Sequence, residues 1–207
     1  MLESLFNEFV RIALGTVESW GYIGIVLLMT IESTIIPFPA ELILIPAGAL
    51  VAKGSFAALP VLLAAIVGSV LGALINYALA YHFGRRPLNA LIHRYGKFLF
   101  IDDKSVIRTE NYFERHGHIT TFIGRLVPGI RSFISLPAGF ARMNVFEFSL
   151  FTALGAGTWS ALLILIGYVL GDNFEVIRSR LDTLSILLLI ISGIIAFVYI
   201  KTRKSQT

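Results

Sequence analysis

Glu32-Ser33-Thr34-Ile35-Ile36-Pro37-Phe38-Pro39-Ala40-Glu41 interrupts one apolar run of this chain, and Gly124-Arg125-Leu126-Val127-Pro128-Gly129-Ile130-Arg131 interrupts another. The first interruption bears acids and the second arginines. Each is followed by a Pro-Ala-Gly, at Pro46 to Gly48 and Pro137 to Gly139, and then by a long apolar segment. A doubled motif of broken hydrophobic segments with opposite charge is the pattern expected of a transporter's binding site.

Composition sets the class. Hydrophobic residues make up 56% of the 207-residue chain and charged residues 14%, with a mean hydropathy of +0.80, whereas charged residues are about 25% of an ordinary soluble domain. The chain is therefore read as an all-α integral membrane protein with a single membrane domain over residues 1–207. Glu3 and Glu8 stand where a signal peptide would carry basic residues, so no cleaved leader is expected. The absence of cysteine excludes disulfides, thiolate metal sites and cysteine nucleophiles. The formal charge of +4 fits the basic bias of loops flanking membrane spans, and no nucleic-acid partner is expected.

Segment lengths suggest the architecture. Residues 1–18 have helical amphipathic spacing and are expected to lie at the interface. Residues 20–53 contain two apolar arms, each short of the roughly 20 residues a spanning helix needs. They are broken at Glu32 and at Pro37 and Pro39, which remove backbone donors and favour extended neighbours. That describes a re-entrant hairpin, and residues 119–143 repeat it around Pro128-Gly129. Pro46, Gly48, Pro137 and Gly139 are also read as hairpin breaks. Residues 59–83, 146–170 and 184–200 are long enough to span, and residues 85–118 form a basic loop outside the bilayer.

The two halves align. Ile45-Pro46-Ala47-Gly48 matches Leu136-Pro137-Ala138-Gly139, Gly68 matches Gly155, and Tyr81-His82-Phe83-Gly84 matches Tyr168-Val169-Leu170-Gly171. A hairpin that returns to its own side, followed by one crossing, forces the second unit to enter from the opposite face. The expected fold is thus an inverted repeat of two units, each a re-entrant helical hairpin plus a transmembrane helix, flanked by the N-terminal amphipathic helix and a C-terminal transmembrane helix. Arg85, Arg86, Arg94, Lys97, Lys104, Arg108 and Arg115 fall in the central loop, and Lys201, Arg203 and Lys204 in the tail on the same side. Both are therefore expected to be cytoplasmic.

A charge near the bilayer centre costs at least about 2.5–3.5 kcal/mol, so Glu32, Glu41, Arg125 and Arg131 need an explanation. A purely structural one is mutual neutralisation where the hairpin tips meet. Matched buried ions are seldom a stability gain over apolar packing, however. The functional reading assigns Arg125 and Arg131 to substrate phosphate, because guanidinium forks and broken-helix N–H groups suit anions. Glu32 and Glu41 are assigned to proton coupling, since a partly dry cavity favours the neutral acid while a nearby arginine favours the ionised one.

Other candidates carry less. Glu114, His116 and His118 lack further ligands at metal spacing; no metal and no cofactor is expected. His82 and His93 suit lipid-headgroup contact, Trp20, Tyr22, Tyr81, Tyr168 and Trp159 read as interfacial or packing aromatics, and Arg142 and Asn144 as interface anchors. Asn76 in a spanning helix is expected to hydrogen-bond a neighbouring helix.

At these residues the chain resembles the DedA family, also called the VTT or SNARE-associated membrane-protein family. The resemblance rests on Glu32…Pro37-Phe38-Pro39-Ala40-Glu41, Gly124-Arg125…Pro128-Gly129-Ile130-Arg131…Pro137-Ala138-Gly139 and Gly155…Trp159…Gly167-Tyr168…Gly171. It implies a flippase-like transporter of the bacterial cytoplasmic (inner) membrane that moves a phosphate-bearing lipid, undecaprenyl phosphate or a phospholipid, between leaflets with dependence on the proton motive force. It also implies that Glu32 and Glu41 are the family's two functional acids and Arg125 and Arg131 its two functional arginines. The second acid is Asp in some members, and the Pro-rich turn before it varies in length. Proton-coupled exchange of ions or small cationic solutes is the alternative, with a structural or assembly role behind it. A lipid phosphatase would need an aligned nucleophile and general acid, which the sequence does not show, so the chain is not read as an enzyme.

Overall fold

The computed structural model describes residues 2–34, 39–83, 103–127 and 130–171, and these are helical, with no strand among the described residues. The helices are α1 (Leu2–Ser33), α2 (Glu41–Ala52), α3 (Ala58–Phe83), α4 (Asp103–Leu126), α5 (Ser135–Phe140) and α6 (Val145–Val169). The expected span at 184–200, the basic tail, residues 85–102 and the break residues Pro37, Pro128 and Gly129 lie outside the described residues.

α3 and α6, with 26 and 25 residues, are long and apolar enough to cross a membrane; at 1.5 Å per residue each exceeds the roughly 30 Å of bilayer hydrocarbon. Their faces are distributed inside out. Leu59, Leu63, Val67, Leu71, Ile75 and Leu79 form an exposed stripe at four-residue spacing along α3, while its buried face carries Ala64, Ala65, Gly68, Ser69, Gly72, Ala73 and Asn76. An apolar surface this long would be an aggregation liability in water. Facing lipid, it leaves small residues free to bring helices together.

The glycines show how closely. A β-carbon at Gly68 would overlap Val26 and Met29 of α1, and one at Gly155 of α6 would overlap Phe122 and Arg125 of α4. Gly48 of α2 abuts Ile164 and Gly167 of α6, whereas Gly139 of α5 abuts Tyr77 and Ala80 of α3. These contacts repeat in the register of the sequence alignment, in which Tyr77 and Ala80 correspond to Ile164 and Gly167. Each short helix following an interrupted stretch thus rests on the long helix of the other half.

The helical run from Leu2 to Ser33 is broken at Gly21, whose φ of 59° and ψ of −133° suit glycine alone, so the segment expected at 1–18 and the apolar arm expected from residue 20 meet at that break. Two expectations change. The expected basic loop at 85–118 is helical from Asp103, in the same element as Arg125, with a break at His116. Polar composition does not by itself mark irregular backbone. Finally, Pro46 and Gly48 lie inside α2, and Pro137 and Gly139 inside α5, so Pro-Ala-Gly is not a hairpin break. Packing of α2 against α6 outweighs the local penalty of Pro46, whereas Pro137 stands in the first turn of α5, where its missing donor would have no intrahelical partner, and the glycine is where the backbones touch.

Candidate functional site

Glu32 occupies the last turn of α1, and Arg131 the turns that link α4 to α5. Both are buried, and Arg131 Nη2 lies 2.5 Å from Glu32 Oε1. Oε1 has no aligned hydrogen bond, so the contact is an ion pair held by proximity, not a two-pronged fork. Ser33 Oγ donates to the other carboxylate oxygen at 3.0 Å. Arg125, in the last turn of α4, is 2% exposed; its Nη2 donates to Ser135 Oγ of α5 at 3.0 Å, while its Nε is buried without an acceptor among the described residues.

These groups surround one small cavity, lined by Met29, Glu32, Ser33, Ser69, Arg125, Arg131, Ala156, Trp159 and Ser160. Its volume is about 10 Å³, room for about one water-sized sphere. Glu32 lies within electrostatic reach of Arg131, Arg125 and Glu41. The cavity wall itself carries two arginines against one carboxylate, an excess of donors suited to an anion.

Asn76 of α3 holds the two interruptions together. Its buried Nδ2 donates to Ser33 O at 3.1 Å and to Ser132 O at 3.2 Å, and Ser132 Oγ reaches Glu32 O at 3.4 Å. The expected hydrogen bond to a neighbouring segment is therefore made twice, to the carbonyls beside Glu32 and Arg131.

The remaining expected site residues fall as follows. Glu41 is 4% exposed in the first turn of α2, where an acid complements the helix dipole, but it is not on the cavity wall. Pro39 precedes α2, and its carbonyl accepts from Leu42 N at 3.1 Å. Pro46, Gly48, Pro137 and Gly139 serve helix packing. Trp159, read as a packing aromatic, lines the cavity, as do Ser69 and Ser160; four-residue spacing from Gly155, which abuts Arg125, was the signal available for Trp159. Among the described residues no group of three His, Cys, Asp or Glu is placed to hold a metal.

Comparison with known proteins gives the family. The family model for the VTT domain matches residues 38–169. The chain is 35% identical over 198 residues to the "Alkaline phosphatase-like protein" of Lactococcus lactis subsp. lactis (strain IL1403), covering 93% of this chain and 92% of the relative. It is 31% identical over 202 residues to "Undecaprenyl phosphate transporter A" of Staphylococcus aureus, covering 98% and 96%, and 25% identical over 199 residues to "Protein DedA" of Escherichia coli, covering 90% and 86%. No solved structure matches. With a VTT domain over most of its length and a buried acid–arginine site at the meeting point of its two interrupted stretches, the chain belongs to the DedA family of membrane proteins.

Proposed function

We propose that the chain is a transporter of the bacterial inner membrane that moves a phosphate-bearing lipid, a polyprenyl phosphate such as undecaprenyl phosphate or a phospholipid, between leaflets. The observation that carries this reading is the pair of buried guanidinium groups, Arg125 and Arg131, beside a small cavity lined by one carboxylate. Support also comes from the relatives named undecaprenyl phosphate transporter A in S. aureus and Bacillus subtilis. A phosphate group is much larger than the present cavity, so the described conformation is a closed one, in which Glu32 stands in for substrate as the anion on Arg131.

That substitution supplies a mechanism. Phosphate and the Glu32 carboxylate compete for Arg131. Protonation of Glu32 ends the competition and admits the lipid phosphate; deprotonation restores it and favours release. Glu41 acts on this exchange through its charge and not by direct contact with the cavity. The lipid tail stays in the bilayer throughout. The repeated helix contacts support two inverted units with re-entrant hairpins, and the basic residues of the central segment and of the tail support a cytoplasmic placement of both.

The geometry favours transport over hydrolysis, although two relatives in Lactococcus lactis are named alkaline phosphatase-like. Ser33, Ser69 and Ser160 reach the cavity, but no histidine stands on its wall to activate them. The test is leaflet exchange in proteoliposomes. Polyprenyl phosphate movement should be lost in Arg125→Ala and Arg131→Ala, and unimpaired movement in both would overturn the assignment. Transport that ignores an imposed pH gradient, and tolerates Glu32→Gln with Glu41→Gln, would overturn proton coupling.

A further inference from the structure

Trp159 belongs to two walls. It lines the charged cavity beside Arg125 and Arg131, and with Leu126, Thr158, Ala161, Leu162 and Leu165 it lines a second cavity of about 460 Å³. The second cavity is apolar and opens outward, for Leu162 is 46% and Leu165 58% exposed on α6. Its size falls within the roughly 300–1,000 Å³ of small-molecule sites. Trp159 is thus the residue shared by the charged cavity and the outward-facing apolar one.

The same residue has an unmet need. Its Nε1, an obligatory donor, is buried without an acceptor among the described residues, as is Arg125 Nε. Native interiors seldom leave such groups unpaired, and two on the wall of one cavity call for a ligand rich in acceptor oxygens. Apolar contacts alone would have placed a phenylalanine or leucine here at no such cost. An indole instead offers a donor and a broad apolar ring in one side chain.

We propose that Trp159 reads both parts of one amphiphile: its indole N–H donates to the phosphate held by Arg125 and Arg131, and its ring walls the groove that takes the adjoining carbons of the apolar tail. This rests on the reading of those arginines as phosphate ligands. It also narrows the substrate. With Trp159 lining both cavities, a ligand read by its two edges has phosphate and hydrocarbon as neighbours, as in a monoester of a long-chain alcohol. A glycerophospholipid interposes glycerol and spends a second phosphate oxygen on its head alcohol.

The test uses the full chain in nanodiscs with Trp20→Phe, which leaves Trp159 as the sole tryptophan because the chain has two. Its emission is titrated with a polyprenyl monophosphate, the corresponding free alcohol, phosphatidylethanolamine and inorganic phosphate. The monophosphate should shift the emission saturably, with the alcohol at least about tenfold weaker, the loss expected when a hydrogen bond to a charged group is missing, inorganic phosphate weaker for want of the adjoining carbons, and phosphatidylethanolamine weaker because glycerol and the head alcohol flank its phosphate. No shift, or equal shifts with monophosphate and alcohol, would overturn the proposal. In transport, Trp159→Phe keeps the ring and removes the donor, so half-saturation should rise about tenfold while the maximal rate changes less than about twofold. Unchanged half-saturation in a chain whose transport is abolished by Arg125→Ala overturns the role of Trp159 alone, whereas normal transport by both arginine variants overturns the phosphate reading beneath it.

Discussion

Arg131 and Glu32 form a buried ion pair between segments nearly 100 residues apart in sequence, with the guanidinium Nη2 at 2.5 Å from the carboxylate Oε1. Removal of one partner strands the other charge, which typically costs about 3–5 kcal/mol. Arg131→Ala should therefore lower the thermal denaturation midpoint substantially. The double variant Glu32→Gln with Arg131→Gln should recover much of that stability without recovering lipid transport. Equal stability of the single and double variants would show that the pair is not a coupled unit.

Glu32→Gln and Glu41→Gln should behave differently. The first removes the anion that occupies Arg131 and leaves Ser33 a neutral partner, so binding of a phosphate lipid should tighten while release slows and the response to a pH gradient disappears. Glu41 is buried at the start of α2 and off the cavity wall, so its replacement should leave lipid binding within about threefold, a change of under 1 kcal/mol. Binding titrations paired with transport at imposed pH gradients distinguish the two. Indistinguishable variants would place both acids in one role.

Gly155→Ala tests the fit of α6 against the site. The added methyl carbon would lie 2.6 Å from Arg125 Cβ and 2.9 Å from Phe122 O, so α4 must shift at the residue that bears the guanidinium. Overpacking of this kind costs about 1–3 kcal/mol, and transport should fall by more than the folded fraction does. Gly157→Ala is the control: its nearest neighbour is the flexible end of Ile66 at 3.0 Å, so both stability and transport should change little. Folded-fraction measurements alongside transport assays separate the two effects.

Much of the site was legible in sequence because charge is expensive in lipid. Glu32, Arg125 and Arg131 stood out against apolar surroundings, and only convergence makes such residues tolerable, so their meeting in one cavity follows from the cost of burying them. Glu41 stood out for the same reason, yet it came to rest beside the cavity wall. Local breaker rules failed at Pro46, Gly48, Pro137 and Gly139, because backbone contacts made by α2 on α6 and by α5 on α3 are tertiary and leave no local mark beyond the small residue itself. Trp159 was hidden for a related reason: an aromatic in an apolar helix looks like packing until it is seen to line two cavities. The helix from Asp103 was missed because polar composition does not by itself report backbone conformation.

Asn76 offers the sharpest test of how the two interruptions are joined. Its amide N–H groups donate to Ser33 O and Ser132 O at 3.1 and 3.2 Å, the carbonyls next to Glu32 and Arg131. Asn76→Leu keeps the volume and strands two buried carbonyls, each worth about 1–3 kcal/mol, so a clear fall in the denaturation midpoint is expected. Asn76→Asp is nearly isosteric but replaces the donor with an acceptor facing two carbonyl oxygens, and adds a second anion near Glu32. It should be more damaging than leucine at neutral pH and approach leucine under acid, where the protonated carboxyl regains one donor. Denaturation of the three proteins at two pH values decides the matter. Were Asn76→Asp as stable as the parent at neutral pH, the amide would not be the tie between the α1 end and the turn carrying Arg131.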